Sequence, residues 1–233
     1  MDLTPSLRAI PGFAPGDASA TPLLTDAQRE QLAALATRLE LQPRATIFRE
    51  GTPAAHVFIN SSGVVKSFRD LPSGKRRITS FWFSGDVFGL AERGKFVYTT
   101  QAVTAVTLYR IPVNELKSAL LEDGHLQFQF LVKVTHEFRE VQRQKVALTR
   151  RDAVGKVATL FSMLERQAGD IGVADTVAVP MTRSDIADFL GLSPEAVSRA
   201  TRELTRRRLV AIPDRHTVRI LDRTRFDLLV SKI

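Results

Sequence analysis

The chain has 233 residues, enough for two domains of ordinary size, and with 44% hydrophobic and 25% charged residues it has the balance of a chain that builds real cores. It contains no cysteine, which excludes disulfides, thiol redox sensing and cysteine-ligated zinc or iron–sulfur centres. The formal net charge of +8 suits a polyanion such as nucleic acid but also a merely basic surface, and no apolar run approaches the roughly 18 residues that a membrane span needs.

Residues 1–24 begin MDLTPSLRAIPGFAPGDASATP, rich in Pro, Gly, Ala and Ser, without the charged start and long apolar block of a secretory signal. This reads as a flexible tail of a cytoplasmic protein. TDAQREQLAALATRLEL, Thr25–Leu41, reads as a helix capped by Thr25, with Leu32, Leu35 and Leu39 at helical spacing. From about Ala45 to Ile111 short apolar or alternating runs (ATIFRE, AHVFIN, GVVKSF, ITSFWF, AVTAVTLYRI) are punctuated by Gly, Pro, Asn, Asp and Ser, the pattern of an antiparallel barrel or sandwich. Lys75, Arg76 and Arg77 follow the turn at Pro72–Gly74 and read as a solvated hairpin.

From about Val113 the pattern is helical and stays so beyond Leu148. Leu131, Val134, Phe138, Val141, Lys145 and Leu148 step by 3, 4, 3, 4 and 3, a heptad seam with one polar member. Such a seam can pack on its own barrel or on a second copy; its length and its place between two domains favour a dimer helix over residues 125–149. A second helix, about Asp152–Gln167, carries Val154, Val157, Ala158, Phe161 and Leu164 on one face, and Gln167–Thr176 reads as a loop.

The most informative stretch is Met181–Leu221, MTRSDIADFLGLSPEAVSRATRELTRRRLVAIPDRHTVRIL. It predicts a short helix (Arg183–Leu190), a turn at Gly191, and a second helix from Pro194 to Arg207 with Ser193 as N-cap and Pro194 at the first helical position. Ile186, Leu190, Leu192, Val197 and Leu204 are spaced to lock the two helices together, with small Ala187 at their closest approach. The other face of the second helix then shows Glu195, Ser198, Arg199 and Arg202. Arginine can donate two bonds to guanine O6 and N7, and a carboxylate can accept from cytosine N4, so this face suits base reading in a major groove. Glu195 and Arg199 are also spaced for an i,i+4 ion pair, and the two roles are compatible. Thr182, Arg183 and Ser193 sit at helix starts, where N–H groups and short side chains suit phosphate. LVAI, PDRH and TVRIL read as a two-stranded wing, and Arg206, Arg207 and Arg208 read equally as phosphate contacts or solvated side chains. The basic excess leans the same way: residues 145–233 hold 16 Lys/Arg against 11 Asp/Glu.

With these elements the chain resembles the CRP/FNR superfamily of bacterial transcription regulators over nearly its whole length after the tail, most specifically at TRSDIADFLGLSPEAVSR and also at GDVFGL (Gly85–Leu90). The resemblance implies an α+β chain: an antiparallel β-barrel of the cyclic-nucleotide-binding, jelly-roll kind (residues 25–124), a dimerisation helix (125–149) and a winged helix-turn-helix (150–233). Glu195, Ser198 and Arg199 are similar to the E-x-x-S-R of the FNR and FixK branches. Pro194 and Ser198 stand where the catabolite-activator branch has arginine and glycine. The implied half-site is therefore TTGA-like rather than TGTGA-like. The pattern most resembles FixK-type regulators, which activate genes of microoxic respiration, denitrification or nitrogen fixation as homodimers on a palindromic TTGA-N6-TCAA-like site, with RNA polymerase as partner.

One departure concerns the barrel. Cyclic-nucleotide-dependent members hold ribose and phosphate with Gly-Glu and Arg-Ser pairs; here the region reads GLAERGKFVYTTQAV, with Glu92 but with Tyr98, Thr99 and Thr100 where the second pair is expected. A buried phosphate needs a strong cationic or N–H partner, so no cofactor is expected, although haem sensing through His56, His125, His136 or His216 stays open. A sensor whose main event is ligand binding in the barrel is the competing class. A jelly-roll metalloenzyme is rejected, because the strand region offers only His56 as an imidazole ligand; no catalytic or metal site is expected.

Overall fold

The computed structural model describes residues 24–149, 152–168 and 175–231. The tail expected over residues 1–24 and most of the loop expected at Gln167–Thr176 lie outside the described residues, except that Leu24 is buried in the core beside Leu32. The chain divides into two compact units: one holds the barrel and the long helix as far as Arg139, the other begins at Glu140 and includes residues 71–78.

In the first unit, α1 (Asp26–Leu35) starts at Thr25, whose hydroxyl accepts the Gln28 N–H at 3.2 Å while the Gln28 side chain accepts the Thr25 N–H at 3.1 Å. The helix expected to run to Leu41 stops at Leu35. Ala36 turns extended and Thr37–Leu41 forms β1, paired antiparallel with β8 (Val106–Pro112) from Thr37↔Arg110 to Leu41↔Val106. Leucines at 35, 39 and 41 fit either period locally, and the ladder to a strand some seventy residues away decides the outcome.

The remaining strands are β2 (Thr46–Phe48), β3 (His56–Ser62), β4 (Val65–Asp70), β5 (Arg76–Trp82), β6 (Val87–Phe88) and β7 (Thr99–Ala102). They make two antiparallel sheets, ordered β1-β8-β3-β6 and β2-β7-β4-β5. Between the sheets lies an aromatic cluster: Phe48 stacks on Phe96 at 3.7 Å, Phe58 on Phe88 at 5.5 Å and Trp82 on Phe88 at 5.7 Å. Three buried polar side chains beside it satisfy one another. The Trp82 indole N–H donates to Ser67 at 2.8 Å, and Ser67 shares a 2.9 Å bond with Thr100. On the opposite strand faces, Val57, Ile59, Tyr109 and Ile111 pack under helices through Leu32, Leu116, Leu126 and Phe130.

The helical stretch from Val113 breaks at Asp123 into α2 (Val113–Glu122) and α3 (Gly124–Thr149), the Asp123 carboxylate accepting the His125 and Leu126 N–H groups at 2.9 Å each. α3 turns Leu126, Phe130, Lys133 and Glu137 inward. Lys133 and Glu137 form a buried ion pair at 2.6 Å, and the Glu137 carboxylate also accepts the Val87 N–H at 3.1 Å. That N–H belongs to β6, within the Gly85–Leu90 segment, where Gly89 (φ 93°) has the Phe58 ring 2.9 Å from where a Cβ would stand. The expected seam is divided: Val134 packs against the chain's own barrel core, Leu131 and Phe138 are 61% and 62% exposed, Val141 is half-buried and Lys145 is exposed. The Leu148 side chain falls outside the described residues.

In the second unit, α4 (Ala153–Ala168) buries Val157, Ala158, Phe161 and Leu164. The wing has three strands, not the two expected: β9 (Thr176–Ala178) adds to β10 (Val210–Ala211) and β11 (Thr217–Ile220) in the order β10-β11-β9. A final helix, α7 (Arg223–Ser231), was not legible in the sequence; Arg223 ties it to Glu165 of α4 and to Asp175, both at 2.5 Å.

Candidate nucleic-acid interface

Two helices carry the candidate site. α5 (Arg183–Leu190) and α6 (Pro194–Arg206) run over the expected spans to within one residue. Thr182 caps α5: its hydroxyl accepts the Asp185 N–H at 3.1 Å while the Asp185 carboxylate accepts from the Thr182 N–H and O–H at 3.3 and 2.9 Å. Gly191 takes the left-handed conformation (φ 65°, ψ 41°), which ends α5 and lets the chain reverse. Ser193 then caps α6, its hydroxyl accepting the Ala196 N–H at 3.1 Å, with Pro194 at the first helical position. Ile186, Ala187, Leu190, Val197 and Leu204 are all buried, as their spacing predicts, and Leu192 is half-buried. Replacing Ser193 by Ala is expected to cost about 1 kcal/mol of stability, the usual worth of an N-cap, read as a lower urea midpoint for DNA-free protein.

With Val197, Ala200, Thr201 and Leu204 turned inward, α6 presents Glu195, Ser198, Arg199 and Arg202 on the i, i+3, i+4, i+7 stripe. Glu195, Arg199 and Arg202 are exposed and Ser198 half-buried, its hydroxyl donating to the Pro194 carbonyl at 2.9 Å. Glu195 is held ionised: its own N–H, the Ser193 hydroxyl and, at longer range, the Arg199 charge keep its carboxyl below the usual range. The contact ion pair between Glu195 and Arg199 does not form among the described residues, so both groups stay available.

Of the phosphate candidates, Thr182 and Ser193 are exposed beside the two helix N-termini. Arg183 is half-buried, its guanidinium donating to the Thr201 hydroxyl at 3.1 Å and so bracing α5 against α6. The three arginines that read two ways sit at the end of α6. Arg206 and Arg207 clamp Glu203 at 2.8 and 2.7 Å and pull its carboxyl down to about 2, while Arg208 takes a left-handed turn (φ 57°) into β10. Two wing residues approach the start of α5, although the sequence offered His216 only as a haem candidate and did not single out Arg215. Arg215 and His216, exposed on the β10–β11 wing turn, line a cavity of about 440 Å³ with Thr182 and Arg183. The PDRH run carried a turn signal only, and nothing in it pointed back to α5 across thirty residues.

Of the other histidines, His56 lines a cavity of the barrel and His125 shares a 2.9 Å bond with Gln28. Among the described residues no three His, Asp or Glu side chains are grouped to hold a metal, and no helix is long and apolar enough to cross a membrane.

Comparison with known proteins agrees with this anatomy. Residues 38–123 match the cyclic nucleotide-binding domain family and residues 155–228 the Crp-like helix-turn-helix domain family. The chain is 34% identical to the transcriptional activatory protein AadR of Rhodopseudomonas palustris over 89% of its own length and 87% of that protein. It is 31% identical to the nitrogen fixation regulation protein FixK of Bradyrhizobium diazoefficiens, covering 81% of the chain and 80% of FixK. Its fold superposes on the solved structure of FixK2 from Bradyrhizobium japonicum with a TM-score of 0.77 at 28% identity, covering 85% of this chain and 98% of that one. A barrel, a long helix and a helix-turn-helix DNA-binding domain, together with relatives of this identity and coverage, place the chain in the CRP/FNR family of transcription regulators.

Proposed function

We propose that the chain is a FixK-like transcription activator that binds as a homodimer to a palindromic TTGA-N6-TCAA-like site in the cytoplasm and acts on RNA polymerase at microoxic, anaerobic or nitrogen-fixation genes. The observation that carries the reading is the exposed stripe Glu195, Ser198, Arg199 and Arg202 on a helix whose inner face is fully packed. A rigid helix with a carboxylate and two guanidiniums on its first turns can read G·C pairs from one major groove: Arg199 as donor to guanine, Glu195 as acceptor from cytosine, Ser198 and Arg202 beside them. Thr182 and Ser193 then lie where helix N-termini meet phosphate, Arg183 acts mainly as a brace, and Arg215 and His216 add a wing contact.

The homodimer supplies the second reader that a palindrome needs. Its seam is the exposed face of α3 at Leu131 and Phe138, continued by half-buried Val134 and Val141 and, by register, Leu148. The names of the relatives, an activatory protein and a nitrogen fixation regulator, support the activator sense and the class of target genes.

A gel-shift comparison of TTGA-N6-TCAA with TGTGA-N6-TCACA tests the reading, with preference for the first expected and equal binding, or none, overturning the site assignment. Arg199→Ala is expected to cost about 1–3 kcal/mol at the cognate site and to flatten discrimination at one base pair of each half-site. An unchanged preference would remove Arg199 from the base readers.

A further inference from the structure

The barrel holds a second candidate site, apart from the DNA-reading unit. A cavity of about 450 Å³, within the size range of small-molecule sites, opens among β1, β2, β3 and β8. Its wall includes Phe48, Phe58 and Phe96, all nearly buried, and its polar lining is Arg49, His56 and Arg110 with the hydroxyls of Thr46 and Thr52. Neither guanidinium takes part in an ion pair among the described residues.

We infer that this cavity binds a small organic anion, a carboxylate or phosphate carried on an apolar body, with the charge held by Arg49 and Arg110 and the body against the phenylalanines. Arg110 is close enough to His56 to act with burial, the larger cause, in lowering the imidazole pKa, while Glu115 opposes them. The imidazole is thus neutral near pH 7 and offers one N–H on the wall that also carries Arg110, half-buried, and Arg49, exposed. That set matches a carboxylate or phosphate and mismatches a cation.

The site differs from the place where a cyclic nucleotide would be expected. Of the GLAERGKFVYTT segment only Phe96 lines the cavity, and it is stacked flat on Phe48 as a floor. Deeper in the barrel, Ser67, Thr100 and Trp82 already satisfy one another, and the two buried polar atoms left without a partner among the described residues, Asn60 Oδ1 and the Tyr109 hydroxyl, do not line this cavity. At the mouth, two guanidiniums outside any ion pair among the described residues line the same cavity as the phenylalanine wall.

Calorimetric titration of the full chain with benzoate, phenyl phosphate, inorganic phosphate and benzyl alcohol tests the inference. At least one aryl anion is expected to bind saturably below millimolar concentration and more tightly than inorganic phosphate or benzyl alcohol; the tighter of the two identifies the head group. Arg110→Gln and Arg49→Gln are each expected to weaken it by about tenfold or more, the worth of one charge-assisted contact. Their urea midpoints should match wild type, since neither side chain is in an ion pair, which separates lost binding from lost folding. No saturable heat from either aryl anion up to about 10 mM, affinity no better than for benzyl alcohol or inorganic phosphate, or full binding by both variants overturns the site.

Discussion

Replacing Leu131 and Phe138 together by Asp is expected to convert the protein to a monomer in sedimentation velocity and to abolish binding to a palindromic DNA site at concentrations that saturate wild type. Both side chains are about three-fifths exposed in the single chain, seven residues apart on one helix, while the helix buries a different face on its own barrel. If covering each is worth about 1.5 kcal/mol, the four copies in a two-fold dimer supply roughly 6 kcal/mol, about four orders of magnitude in dissociation constant. Four carboxylates facing one another add repulsion. The chain itself should keep its circular dichroism and much of its thermal stability, because neither position belongs to the monomer core. A variant that stays dimeric and binds DNA normally would assign the seam elsewhere.

Glu137→Ala is expected to destabilise the barrel unit by about 3–5 kcal/mol in urea unfolding, the cost of removing one member of a buried ion pair. The Lys133 side chain is 2% exposed and its ammonium lies 2.6 Å from the lost carboxylate, which also accepts the Val87 N–H. Glu137→Gln keeps an acceptor for Val87 and should fall between. Lys133→Met combined with Glu137→Gln removes both charges and should recover a large part of the loss, since the desolvation of the pair disappears with it. Glu137→Ala unfolding at the wild-type midpoint would mean that the pair contributes nothing.

How much of this was legible in the sequence depends on how local the determinants are. The helix-turn-helix was read nearly to the residue, because Thr182, Gly191, Ser193 and Pro194 act within one turn of themselves. β1 was misread as helix because the deciding partner is β8. β9 escaped notice for a like reason: Thr176–Ala178 is a strand through its pairing with Thr217–Arg219. On α3 the heptad count marked Leu131 and Phe138, which are exposed, but passed over Lys133 and Glu137, whose burial depends on the barrel packed against them. The barrel-mouth cavity draws on four strands and two loops, and no window of sequence contains it.

Positions 137 and 138 are consecutive on α3, about 100° apart around the helix axis. One grips the Val87 turn of the barrel and the other stands in the exposed apolar seam. A roll of the helix that re-aims Phe138 would also draw Glu137 off the Val87 amide, so the contact with β6 and the exposure of Phe138 are coupled through one turn of helix.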